Sequence, residues 1–320
     1  MPAPTPAHML LKKSFVVQPN STPAMRNQFL KNLLPIQFHR ITIDGTGTKS
    51  YASPAEYQSA VLSVLETIYS TQTGKAVFRE FEERSTHNLK IYPFEGDGVN
   101  ASARTKDLAH ATVKGETVRN GDDGYEILGD DGKPIMGLGG GTDSEISFTP
   151  IIYAHYCRTH KKHKSGMRPD EVLFHEMTHA TRQMRGILNS LPLGHMYDTE
   201  EEFFAILLAN IYASETGRPY DIRESHHGHE HMSTDTDEQF LPKKDMSDYR
   251  YRLVSKLVHQ EPDMCRELRS VRTPFNPIRR YFELQQFSVF IPQHPIHILP
   301  LPKPVLPPPI GPIRQLTQNI

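Results

Sequence analysis

His175-Glu176-Met177-Thr178-His179 is an H-E-x-x-H sequence inside a chain of 320 residues. Residues four positions apart lie on the same face of a helix, so the two imidazoles can bind one zinc ion. The glutamate between them can then take a proton from a water molecule beside that ion. The pattern therefore predicts a metal-dependent peptidase and marks the helix around which the fold is organised.

The residues around the motif indicate a helix that packs into the core. Pro169 and Asp170 supply a helix-start signal, and Gly186 supplies a stop signal. The chain holds 17 histidines, so the motif also arises by chance, on an exposed helix with a salt-bridging glutamate. Apolar residues at helical spacing favour the buried alternative, a helix of about four turns: Val172, Leu173, Met177 and Ala180.

A catalytic zinc site needs a third protein ligand, and the region after Tyr197 offers one. Thr199 is a candidate N-cap, and Glu202 at the third following position completes a capping box before the apolar run 203–213. Glu202 is therefore either a helix cap or a ligand. Glu201 and Glu202 point about 100° apart on a helix, so only one of them is expected to face a metal.

Four stretches resemble one known family: residues 141–150, Phe174–Ala180, Glu202–Ala205, and Asn210–Tyr212 with Glu215, Gly217, Pro219 and Arg223. Together they are similar to the NleD-like effector metalloproteases, a zincin family of bacterial secreted effectors and toxin domains. The third stretch is also similar to part of anthrax lethal factor. Weaker likenesses at 73–78 and 89–91 extend the resemblance to roughly residues 55–230.

The resemblance implies a zincin-like α+β fold, His175, His179 and Glu202 as ligands of one catalytic Zn²⁺, and Glu176 as general base. The oxyanion of peptide hydrolysis also needs a donor, for which Arg223, Tyr220 and His226 are candidates. Related enzymes often carry a tyrosine three residues after such an arginine. His226 stands at that position here.

The strand predicted at Ser144–Phe148 alternates polar and apolar residues. We expect one face to pack inward and one edge to stay free. An extended substrate would then add to that edge as another strand.

Composition narrows the function classes further. The formal net charge is −1, which gives no basic field for nucleic acid. Only Cys157 and Cys265 occur, so we expect no disulfide framework and a reducing compartment. No apolar run approaches the roughly 18 residues that cross a membrane.

The length predicts one α+β metallopeptidase domain over residues 50–290 with a tail on each side. Residues 1–43 contain no Asp or Glu and are expected to be disordered. They are interpreted as a tail without a specific function, a mitochondrial transit peptide or a secretion signal. Residues 291–320 hold nine prolines, which favours polyproline II or disorder. Pro309–Arg314 matches an SH3 ligand, with a passive extension as the alternative.

Further elements are predicted inside the domain. Apolar spacing behind Ser53 indicates a helix at 54–72, and another is expected at 245–270. The glycine- and aspartate-rich residues 96–141 are expected to form hairpins and loops, with short strands at 125–128 and 134–136. The remaining histidines are expected to be solvated rather than to form a second metal site: His155, His160, His163, His226, His227, His229 and His231.

Together with the resemblance, these features favour a secreted zinc endopeptidase, a virulence effector delivered into the host cell cytoplasm, where it cuts a signalling protein. A non-enzymatic interaction protein is the first alternative, with an inactivated zincin scaffold that presents the proline-rich tail. An antibacterial metallopeptidase toxin is the second.

Overall fold

The computed structural model describes residues 39–287 except 122–123, 160–164, 194–195, 219–221, 228, 230 and 233–235. Several predicted features lie outside these residues: Tyr220, His160, His163, residues 1–38 of the amino-terminal region, and Pro309–Arg314. Within the described part the fold is α+β, as predicted, with ten helices and one mixed four-stranded sheet.

The sheet has the strand order β1-β2-β4-β3. Its strands are β1 (Ile41–Ile43), β2 (Leu89–Tyr92), β3 (Ser102–Thr105) and β4 (Ser144–Ser147). β1 and β4 both run parallel to β2, whereas β3 runs antiparallel to β4. The strands predicted near residues 89 and 144 are therefore confirmed.

Two predictions about the sheet are corrected by this topology. β1 lies inside residues 1–43, which were expected to be disordered, because Ile41 and Ile43 pack against the core and the strand pairs with β2. The free edge expected for Ser144–Phe148 is also wrong, because β4 pairs on both sides. The edge beside it belongs to β3, a strand that sequence periodicity did not indicate within 96–141.

The helices of the first half are α1 (Pro54–Tyr69), α2 (Gln72–Glu82), α3 (Leu108–Ala111) and α4 (Pro150–Thr159). Ser53 caps α1, since its Oγ accepts from the backbone N–H of Glu56 at 3.3 Å. The helix predicted at 54–72 ends earlier, because Thr71 caps α2 through the N–H of Gly74 at 2.8 Å.

The two central helices are α5 (Pro169–Met184) and α6 (Glu200–Glu215), and most of their side chains are buried. α5 has the predicted bounds, with Pro169 in its first turn. It stops at Gly186, whose φ of +68° favours glycine and where a Cβ would lie 2.5 Å from the carbonyl carbon of Gly139. The end of α5 is thereby packed onto the loop that leads into β4.

The last helices are α7 (Asp237–Phe240), α8 (Tyr249–Gln260), α9 (Pro262–Leu268) and α10 (Pro277–Phe287). The single helix predicted at 245–270 is two helices, because Glu261 leaves the helical region at φ −130° and Pro262 starts the next helix. Among the described helices, none has the length and apolar character to cross a membrane.

Residues 96–141 are mostly loop, as predicted, but they also contain β3 and α3. The two stretches expected as strands make isolated antiparallel bridges instead. These bridges join Thr117 to Met136, Arg119 to Glu126, and Leu128 to Pro134.

Candidate metal centre and active site

α5 places the side chains of His175 and His179 side by side. Their Nε2 atoms are 3.0 Å apart, and the residues are 7 % and 8 % exposed. The two nitrogens converge because the residues are four positions apart on one helix face. The i, i+4 prediction for the motif is therefore confirmed in its geometry.

Glu202, in the first turn of α6, faces both imidazoles. Its Oε2 lies 3.2 Å from Nε2 of His175, and its Oε1 lies 3.3 Å from Nε2 of His179. Thr199 caps α6 by accepting from the N–H of Glu202, but the Glu202 carboxylate is turned to the histidines instead of completing a capping box. Of the two uses that the sequence left open for this side chain, the geometry favours the ligand.

Glu201 points elsewhere, as its position on the helix predicts. Its carboxylate accepts from Nε of Arg182 at 2.8 Å and lies 3.5 Å from Nδ1 of His179. The Glu201 carboxylate therefore faces Nδ1 of His179, on the side of the ring away from Glu202. A carboxylate at the second nitrogen is the usual support of a metal-binding histidine.

The three converging side chains fit a zinc ion. Ligand atoms around a tetrahedral zinc with bonds of about 2.0–2.2 Å lie roughly 3.3–3.6 Å apart, within a few tenths of an ångström of the distances above. The Oε2 atom of Glu202 is buried and lies 3.2 Å from Nε2 of His175 and 3.4 Å from Nε2 of His226, a position in which a carboxylate oxygen needs a proton donor or a cation. His–His–Glu is also a donor set that zinc prefers.

Burial and neighbouring charges set the protonation of the ligands. Burial, together with the charge of Arg223, lowers the pKa of His175 to about 3. Burial alone would raise the pKa of Glu202, but the charge of His179 and hydrogen bonds from both histidines hold it well below its usual value. Burial alone would lower the pKa of His179, but the charge of Glu202 raises it well above its usual value. His175 and Glu202 thus have the neutral and ionised forms that bind a metal, whereas a metal at His179 would displace its proton.

Glu176 lies between the histidines on α5 and is 9 % exposed. Burial raises the pKa of its carboxyl to about 7, against the lowering effect of the His179 charge. The backbone of Ala103 in β3 also lowers this pKa. The result is a carboxylate held between α5 and the edge strand, with a pKa suited to exchanging protons near neutrality.

A family model for effector proteins of the M91 peptidases matches residues 45–245 of the chain. The chain belongs to this family. The resemblance to NleD-like effector proteases is thereby confirmed over more than half of the sequence. No match was found among curated proteins or among solved structures.

Arg223 reaches the same centre from the segment after α6. Its Nη2 lies 2.9 Å from Nδ1 of His175, and the residue is 6 % exposed. The side chain of Asn210 fixes its backbone by donating to the carbonyl at 2.8 Å and accepting from the N–H at 2.9 Å. The backbone of Arg223 is thus fixed beside the site, and its guanidinium reaches His175.

His226 lies on the solvent side of Glu202. Its Nε2 is 3.4 Å from Oε2 of Glu202, and its Nδ1 is 2.5 Å from Oδ2 of Asp198. Together with His175 and Glu202 it forms a second possible set of metal donors. The structure thus brings His226 to the site, as predicted, and orients it through a carboxylate.

Sequence reasoning did not find the supporting residues. Asp198 precedes the N-cap of α6, where no periodic pattern applies, although its φ of +49° marks an unusual backbone. Arg182 is fully buried and joins Glu201 to Glu261, which lies far away in the sequence. Only the i+7 spacing from His175 to Arg182 places that arginine near the motif helix face.

Proposed function

We propose that this protein is a zinc-dependent endopeptidase with a zincin-like active site. The observation that carries the proposal is the convergence of two histidine nitrogens and one carboxylate within 3.0–3.3 Å of one another. Membership of a peptidase family supports the same reading. The general base and the anion donors beside this cluster are the further groups that peptide hydrolysis requires.

His175, His179 and Glu202 would hold the ion. Zinc, when bound, lowers the pKa of water towards 7 and polarises a carbonyl group. The chain's own part is to fix the ligands: Glu201 supports His179 from behind, and the cap at Thr199 fixes the first turn of α6. Rigid helices hold such groups more accurately than loops do.

Glu176 is the proposed general base. Its carboxylate accepts the proton of the attacking water and then delivers it to the leaving amine. A pKa near 7 suits both steps, since the group must hold the proton briefly and then release it.

Arg223 and His226 are the proposed partners of the oxyanion. A guanidinium only donates, so its contact with His175 places the ring lone pair on Nδ1. A ring that binds metal through Nε2 carries its proton on Nδ1, which repels the guanidinium. Arg223 is then expected to turn to the negative oxygen of the substrate, a role that donors fill in other hydrolases.

We further infer that the enzyme acts in the cytoplasm of a host cell after secretion. Its family consists of effector proteins, which supports a host protein as substrate. An extended substrate cannot pair with β4, which has neighbours on both sides. The outer edge of β3, the edge strand next to β4, is the proposed place, although at Ala103 its carbonyl already accepts from Gln183 at 3.3 Å.

The decisive experiment compares wild type, Glu176→Ala and Glu66→Ala in host lysate. Glu66 is an exposed helical glutamate outside the site and serves as the matched control. Wild type and the control are expected to generate the same new peptide termini by mass spectrometry. Glu176→Ala is expected to keep about one zinc per chain and to lose at least about 100-fold in cleavage rate.

Two outcomes would reject the proposal. Cleavage by Glu176→Ala at the wild-type rate would remove this residue from the mechanism. Zinc binding with no cleavage by wild type in host or bacterial lysate would favour an inactivated scaffold, whereas cleavage confined to bacterial lysate would favour a toxin.

A further inference from the structure

We propose a second, regulatory metal site made of Asp198, His226 and His227, which binds a divalent transition-metal ion such as zinc. It lies beside the proposed catalytic site and includes none of the ligands His175, His179 and Glu202, although His226 faces Glu202 through its other ring nitrogen. The sequence predicted solvated histidines here. That prediction overlooked Asp198, which is distant in the sequence and which the fold brings to both rings.

The Asp198 carboxylate stands between the two imidazoles. Its Oδ2 lies 2.5 Å from Nδ1 of His226, and its Oδ1 lies 2.8 Å from Nε2 of His227. Three candidate ligand atoms, one from each residue, thus lie within 4.8 Å of one another. The His227 side chain is 74 % exposed, so an ion from solvent reaches the cluster directly.

The backbone holds these three residues together. Asp198 has a left-handed φ of +49°, and its carbonyl accepts from the N–H of Leu193 at 2.8 Å. The N–H of His226 donates to the carbonyl of Met196 at 2.9 Å, which ties the two segments to each other.

The donor chemistry suits zinc and its neighbours in the first transition row. Two imidazoles and one carboxylate select these ions over Ca²⁺ and Mg²⁺, which prefer oxygen ligands. Ligand atoms around zinc lie roughly 3.3 Å apart, so entry of an ion moves each ring by less than about 1 Å. The exposed side of the cluster leaves room for water as a further ligand.

His226 links this site to the proposed catalytic centre through its two nitrogens. Its Nδ1 faces Oδ2 of Asp198 at 2.5 Å, and its Nε2 faces Oε2 of Glu202 at 3.4 Å. An ion bound at Nδ1 would fix this ring beside the carboxylate of the proposed catalytic ligand. The ring would then no longer turn to the oxyanion, which is its proposed role in peptide hydrolysis.

The consequence is inhibition by excess metal. This part rests on the proposed function, whereas the binding of the second ion does not. A first ion binds to the buried cluster with high affinity, and a second ion binds with lower affinity to the more exposed cluster. Activity is expected to fall as the second site fills.

The experiment measures zinc per chain by mass spectrometry, and peptidase activity, during a zinc titration of the full-length protein. Wild type is compared with His227→Ala and with His155→Ala, an exposed helical histidine outside the cluster. Wild type and His155→Ala are expected to bind a second equivalent and to lose activity as it binds. His227→Ala is expected to bind one equivalent and to need at least about tenfold more zinc for inhibition.

A second pair of variants separates this proposal from the catalytic one. Glu202→Gln removes the proposed catalytic ligand and is expected to retain one weakly bound zinc. Glu202→Gln combined with His227→Ala is expected to bind none. Equal zinc content in His227→Ala and His155→Ala would overturn the second site whatever happens at the first, and loss of all zinc in Glu202→Gln alone would overturn it as well.

Discussion

Two parts of the proposed active site are built in different ways. The helix floor consists of His175, Glu176, His179 and Glu202, which come from α5 and α6 and are almost fully buried. The loop wall consists of Asp198, Arg223, His226 and His227, which come from the segments on either side of α6. Its histidines are 32 % and 74 % exposed at the side chain.

The difference lies in how firmly each part is held in place. The floor is held by helix packing and by a buried ion network, so its groups keep their positions without substrate or metal. The wall depends on a few hydrogen bonds between segments, and its outer members meet solvent. We therefore expect changes in the floor to remove activity and changes in the wall to modulate it.

The largest effect is expected from the neighbouring glutamates of the floor. Glu202→Gln should lose the high-affinity zinc and all measurable cleavage, because an amide oxygen is a weak ligand for zinc. Glu201→Gln should retain about one zinc per chain, because this side chain meets Nδ1 of His179 instead. Zinc content and activity of both purified variants check the assignment, and the reverse pattern would make Glu201 the ligand.

A smaller effect is expected at the wall when Arg223 is replaced. Arg223→Met should lower kcat/KM by about 10²–10³-fold while zinc content stays near that of wild type. The guanidinium is expected to stabilise negative charge that exists only during the reaction, so kcat should carry most of the loss. Loss of zinc in this variant would instead mean that Arg223 supports His175.

The smallest effect is a graded response of the floor to pH. Burial raises the pKa of Glu176 to about 7, and protonation removes the base. The rate should therefore be full above this pKa and fall by about tenfold per unit below it. A bound cation favours the ionised carboxylate, so the acid limb of kcat/KM is expected at or below about pH 7.

An acid limb of kcat/KM well above about pH 7 would contradict the role of Glu176. So would a pH profile without an acid limb in an enzyme that stays folded. Circular dichroism across the same pH range is the control for unfolding.

The sequence predicted the floor because its residues obey helical spacing. His175 and His179 share a face through i, i+4, and the cap at Thr199 placed Glu202 in the first turn of α6. Sequence spacing did not say which of Glu201 and Glu202 faces the two histidines. Both residues lie in the first turn of α6, and they differ only in the direction of their side chains. The apolar runs of both helices were equally readable as buried segments.

Contacts between residues that are far apart in the sequence could not be predicted from helical or strand spacing. Glu261 contacts Arg182 from the junction between α8 and α9, just before Pro262, and no local signal connects the two residues. β3 was missed because its residues, Ser102 to Thr105, lack the apolar alternation of a half-buried strand. It forms because β4 offers a partner, and the same pairing overturned the free edge expected for β4.

Asn210 couples the position of α6 to that of the segment which follows it. Its carboxamide bonds both polar groups of the Arg223 backbone, and it lies on the same helix as Glu202, about 12 Å further along. Any tilt of α6 is therefore expected to move Glu202, the proposed metal ligand, and the backbone of Arg223 together.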